Sequence, residues 1–132
     1  MGQIMDRPSA LVPIPDNIPI EMKIRLQWVL WRFLPPKDGD TKWRKVPFQL
    51  RGVPASTADP ETWGAYSDTL AVYEQGGYDG PGYVFTNDDP YVSVDLDHAH
   101  DIKTRQLTTE AKALLLRLDT YAELSASGTG VH

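Results

Sequence analysis

Asp95 and Asp97, in the segment YVSVDLDH at residues 91–98, are the two side chains whose type and spacing do chemistry together. On an extended strand, side chains alternate faces, so these carboxylates project together about 7 Å apart while Val92, Val94 and Leu96 face the core. A carboxylate pair of this kind repels itself, and a bound cation relieves that cost. Hard oxygen ligands suit Mg2+ or Mn2+, which accept a few carboxylates and leave positions open for water and substrate phosphate. The plainer alternative is an exposed acidic strand end beside a turn.

The second chemical signal is SASGTGVH at residues 125–132. Its small residues let backbone amides come close to an anion, and the hydroxyls of Ser127 and Thr129 add donors. Together with Gly128 and Gly130 they read as a turn that cradles phosphate. His132, on the strand expected next, carries an imidazole able to donate to a phosphate oxygen. Lys45, beside Arg44, is placed to reach a phosphate, although an exposed basic strand explains it equally well. Ser56 and Thr57 precede a helix start, where capping accounts for them.

Other constellations are weaker. The four tryptophans, Trp28, Trp31, Trp43 and Trp63, offer faces on which bases could stack, but Trp more often fills a core. His98 and His100 beside the acids raise a zinc reading that no further ligands complete. Ser127 and His132 lack the nucleophile elbow and orienting acid of a hydrolase.

The elements that must position these residues can be read from pattern. Residues 1–19, with Pro8, Pro13, Pro15 and Pro19, form an extended or mobile arm. A short helix is expected over 20–26. WVLWRFL at 28–34 has the aromatic and β-branched character of a strand, and a turn at 37–41 leads into a partner strand at 43–50. Asp59 as N-cap and Pro60 at the first helical position predict a helix that runs to about residue 75, where Gly76 and Gly77 stop it. Strands at 82–86 and 91–97, joined by a short turn, are expected to pair antiparallel. A second main helix, capped by Thr108, spans 108–118 and buries Ala111, Leu114, Leu115 and Leu118. A short strand at 121–125 precedes the small-residue turn. The fold class is α/β (α+β): a mixed or antiparallel sheet with two main helices.

Composition bounds the function. A chain of 132 residues that is 41% hydrophobic, with four Trp and six Tyr, is a folded domain rather than a disordered one. Its lack of cysteine excludes disulfides and thiolate metal sites, which fits a reducing, cytoplasmic compartment. No apolar run reaches the ~20 residues of a membrane helix, and residues 1–15 lack the pattern of a secretion signal. The net charge of −5 is unevenly spread: residues 21–52 carry eight basic groups against three acids, whereas residues 53–132 carry four against thirteen. A phosphate-facing region beside a metal-binding one is the arrangement this polarity suggests.

Taken in chain order, QWVLWR (27–32), KVPF (45–48), ASTADPETW (55–63), GYVFTNDDPYVSVDLDH (82–98) and SASGTGVH (125–132) resemble the N-terminal part of the bifunctional primase-polymerase domain of phages and plasmids, a branch of the archaeo-eukaryotic primase superfamily. The resemblance covers nearly all of residues 27–132. It implies that Asp95 and Asp97 are the metal ligands and that Ser127 and His132 contact the incoming nucleotide. The expected activity is template-directed nucleotidyl transfer, priming and extending DNA by a two-metal mechanism with Mg2+ or Mn2+. Template or primer DNA and dNTP or NTP are then the partners, and in longer relatives a helicase follows. The family's third metal-binding carboxylate lies downstream of its counterpart to His132, so residues 20–132 are expected to be a C-terminally truncated catalytic domain. A noncatalytic nucleotide- or nucleic-acid-binding module, or a regulatory fragment of a replication protein, is the alternative.

Overall fold

The structure, a computed structural model, describes Gln3 and residues 5–132; the part of the expected arm at Met1, Gly2 and Ile4 lies outside the described residues. The fold is α+β, with a three-stranded antiparallel sheet and two main helices, as the sequence predicts. The chain divides into two compact units, Met1–Asp88 and Asp89–His132.

In the first unit, strand β1 (Trp28–Leu34) lies between β2 (Arg44–Phe48) and β3 (Gly80–Tyr83), both antiparallel to it. Trp28, Val29, Leu30, Trp31 and Phe33 are all buried, so this strand reads as a continuous apolar run rather than an alternating one. Leu30 is wholly enclosed, which is worth about 1.5–3 kcal/mol for a side chain of its size. The expected hairpin is present, with Leu30 opposite Phe48 and Leu34 opposite Arg44. Pro47 is accommodated because β2 is an edge strand. Pairing stops at Phe48, short of the expected residue 50, because the Gln49 amide turns to bond the Val53 carbonyl at 2.7 Å.

The neighbour of β1 on its other edge is β3, not a strand paired with 91–97. Gly80 stands opposite Trp31, and a Cβ there would sit 2.6 Å from the indole Nε1. Only glycine lets the two backbones approach with that ring between them.

The single helix expected from Asp59 to residue 75 is two pieces. Asp59 caps a 3-10 turn at Pro60–Thr62, its carboxylate accepting from the Glu61 amide at 3.1 Å. Gly64 then exchanges two backbone hydrogen bonds with Trp28, at 3.1 and 2.8 Å, and this bridge interrupts the helical path. Helix α2 restarts at Tyr66 and ends at Glu74, before Gly76 and Gly77. The first helix, α1, is only Ile20–Lys23; the carbonyl of Met22 is taken by the Trp28 indole at 3.0 Å. The described part of the arm is tied down: Trp43 Nε1 donates to the Met5 carbonyl at 2.7 Å, and Arg7 pairs with Asp79 at 2.7 Å.

The second unit is built on helix α3 (Thr109–Leu118) and a two-stranded hairpin, β4 (His100–Asp101) and β5 (Gln106–Leu107). Thr108 caps α3 as predicted, its hydroxyl accepting from the Ala111 amide at 3.2 Å. Ala99, Ala111 and Val131 are its buried centre, with Leu96, Leu107 and Leu115 packed around them. Leu118, expected to be buried, is 45% exposed because it lies on the last turn, beyond the reach of that small core. The hairpin had no counterpart in the sequence reading. Its signal is Asp101, whose carboxylate accepts from the amides of Lys103 and Thr104 and closes the turn.

Candidate functional site

The site is organised by a short antiparallel ladder. Leu96 and Val131 exchange both backbone hydrogen bonds, at 2.8 and 3.0 Å, and Glu123 and His132 do the same at 3.0 and 2.8 Å. The segment at 130–132 therefore runs between residues 95–96 on one side and 123–125 on the other. Leu96, Val131 and Leu124 lie on one side of the pleat; Val131 is buried and Leu96 packs against the same core. Residues directly opposite one another share a face, so Asp95, His132 and Glu123 line up across the three segments on the other side.

The distances bear this out. His132 Nε2 lies 3.8 Å from Asp95 Oδ1, and His132 Nδ1 lies 3.7 Å from Glu123 Oε1. Both separations are longer than hydrogen bonds. The side chains of Asp95, His132 and Glu123 are 67, 39 and 52% exposed, so a ligand can reach all three. The other oxygen of Glu123 accepts from the Tyr121 hydroxyl at 2.8 Å.

Asp97 is exposed and opens a turn through His98, whose φ of 55° is left-handed. Among the described residues the expected strand at 91–97 is paired only at Leu96, and Val92 and Val94, predicted to face the core, are 89% and 43% exposed. A side chain is buried only where another layer covers it, and in this segment covering begins where the ladder does. The carboxylates thus stand at the end of an extended stretch rather than on a fully paired strand.

The small-residue turn is compact and internally bonded. Ser125 Oγ accepts from the Gly130 amide at 3.0 Å, Ser127 Oγ from the Thr129 amide at 3.3 Å, and the Ser125 carbonyl from the Gly128 amide at 2.9 Å. Hydroxyls of Ser125, Ser127 and Thr129 are chained at 3.1 and 2.8 Å. A Cβ on Gly130 would lie 3.0 Å from the Leu96 carbonyl oxygen and 3.2 Å from Ser125 Oγ, so a small residue is required where the ladder closes.

His100 Nδ1 lies 2.6 Å from the Gly128 carbonyl and donates to it, and the further ligands that the zinc reading requires are absent among the described residues. Ser56 acts as a local cap, its hydroxyl accepting from the Ala58 amide. Lys45 belongs to the first unit, where its ammonium lies 4.3 Å from the centre of the Trp31 ring. Trp28 and Trp31 are buried core residues. Glu123 and Tyr121 were missed as site residues; the signal was their alternation with Ser125 on the short strand expected over 121–125.

Among the described residues, no cluster of three or more metal-binding side chains is present. Asp95 and Asp97 supply hard carboxylate oxygens, and Mg2+ is commonly held by only one or two carboxylates with water and substrate phosphate completing its shell. The donor set fits that kind of ion.

Sequence comparison finds the chain similar to a phage DNA primase-polymerase. It is 38% identical over 107 residues to the DNA primase-polymerase of Nitratiruptor phage NrS-1, an alignment that covers 80% of this chain and 14% of that protein. The chain therefore spans about one seventh of that relative's length. No protein-family model matches. Among the described residues, no helix is long and apolar enough to cross a membrane.

Proposed function

We propose that this chain forms part of the catalytic domain of a primase-polymerase, and that its exposed Asp95, Asp97 and His132 serve template-directed nucleotidyl transfer. The observation that carries the reading is the ladder that sets Asp95 opposite His132, in a chain that is 38% identical over 107 residues to a phage DNA primase-polymerase. Phosphodiester formation needs an activated 3′-hydroxyl and a neutralised pyrophosphate leaving group. Mg2+ or Mn2+ held by Asp95 and Asp97 would supply both as a Lewis acid. His132 receives a phosphate oxygen of the nucleotide, and Ser127, Gly128, Thr129 and Gly130 line the adjoining turn, orienting the triphosphate. Lys45, in the first unit, offers positive charge for a phosphate of the template. No side-chain nucleophile is needed.

The test is primer synthesis and extension by the full-length protein and its Asp95→Ala and Asp97→Ala variants, with template DNA, Mn2+ and dNTP or NTP. Loss of incorporation by about 100-fold or more in a folded variant is the expected result, since these groups act on charge that develops in the transition state. Full incorporation by both variants would overturn the reading. DNA or nucleotide binding without incorporation by the wild type would replace it with a binding module.

A further inference from the structure

His100 bonds the small-residue turn twice, once through its backbone and once through its ring. The backbone amide donates to the Thr129 carbonyl at 3.0 Å, and ring Nδ1 donates to the Gly128 carbonyl at 2.6 Å. Gly128 has a φ of 80°, and a glycine lets the peptide plane that follows it turn over at little steric cost. The ring bond removes that freedom. In a planar trans peptide the carbonyl and the next N–H point opposite ways, so holding the Gly128 oxygen toward His100 aims the Thr129 amide away from it. On that side the amide reaches Ser127 Oγ at 3.3 Å, a longer bond than the 3.0 Å from the Gly130 amide to Ser125 Oγ.

We propose that His100 is a positioning residue: its Nδ1–H fixes the Gly128–Thr129 peptide so that the Thr129 amide donates to a phosphate oxygen of an incoming nucleotide. The ring itself touches no ligand. A charged phosphate oxygen is a stronger acceptor than a hydroxyl, so it takes the loosely held amide from Ser127. The proposal rests on the nucleotidyl-transfer reading for its ligand, but the His100–Gly128 bond can be measured without it.

Two measurements separate the ideas. NMR of the 132-residue chain reports which nitrogen of the neutral His100 ring carries the proton, and the Gly128 carbonyl-carbon shift reports the bond its oxygen accepts. The proton is expected on Nδ1. The Gly128 shift should move in His100→Ala and stay near wild type in His100→Asn, whose amide nitrogen takes the place of Nδ1. In the full-length protein, His100→Ala is expected to raise KM for the nucleotide about 10–100-fold, the contribution of one hydrogen bond to a charged oxygen, with a smaller change in kcat and unchanged DNA affinity. His100→Asn should recover most of that loss. A proton on Nε2 in the wild-type ring overturns the proposal, and that measurement needs no variant to fold. An unchanged KM in folded His100→Ala, where Asp95→Ala inactivates the enzyme, overturns it too, as does an equal rise in KM in His100→Asn and His100→Ala. If Asp95→Ala remains fully active while the Gly128 shift still depends on His100, the nucleotidyl-transfer reading fails and the peptide-fixing role stands.

Discussion

Leu96 and Val131 form a mutually hydrogen-bonded pair, and that one relationship sets the site: the residue before Leu96 and the residue after Val131, Asp95 and His132, must share the opposite face. The closeness of this pairing depends on Gly130, because a Cβ there would press on the Leu96 carbonyl oxygen at 3.0 Å. Gly130→Ala should therefore destabilise the chain by about 1–3 kcal/mol, the usual cost of forcing atoms into a packed position. Chemical denaturation reads this directly, and a midpoint equal to wild type would show that the ladder has room.

Tyr66 makes a different prediction. Among the described residues its buried hydroxyl has no hydrogen-bond partner, and burial, reinforced by Glu74 and Asp16, raises the phenol above its ordinary value of 10.0. Tyr66→Phe deletes an unpartnered polar atom and keeps the ring that packs edge-on against Trp28 at 4.7 Å. Thermal stability at neutral pH should be unchanged or higher by about 1 kcal/mol. A lower stability of that size would mean that the hydroxyl has a partner in solution.

The same residue gives a pH dependence of definite sign. Its value is higher folded than unfolded, so the neutral phenol's contribution is fully present below about pH 10 and is lost as pH rises through the folded value. Wild type should thus lose stability in the alkaline range more steeply than Tyr66→Phe. Parallel curves for the two proteins above pH 10 would contradict this.

Thr108 tests the helix on which the second unit's small core is built. Its hydroxyl accepts from the Ala111 amide, and Ala111 is itself in that core. Thr108→Ala should cost about 1 kcal/mol, whereas Thr108→Ser, which keeps the acceptor, should cost less. Equal losses in the two variants would point to the methyl group rather than the cap.

Much of the fold was legible because local signals and tertiary packing agree. The Trp28–Leu34 strand, its hairpin partner and the Thr108 cap are all written in residue type and order. The break between Pro60–Thr62 and Tyr66 was not legible, since Asp59 and Pro60 are sound helix-start residues and only the distant pairing of Gly64 with Trp28 overrides them. Strand partnership was misread for a similar reason. Residues 82–86 and 91–97 are neighbours in sequence, but Gly80 fits against Trp31 and directs β3 to β1. In the site, alternation and small-residue spacing pointed to Asp95, Asp97 and residues 127–132. Glu123 escaped notice because its significance comes from facing His132 across a ladder that a single sequence does not display.

The most direct measurement of the central claim is paramagnetic broadening by Mn2+ in amide NMR spectra of this chain with dNTP present. Broadening centred on Asp95, Asp97 and His132, and abolished by Asp95→Ala with Asp97→Ala, is the predicted result. Broadening centred on any other group of residues, with these three left sharp, would contradict it.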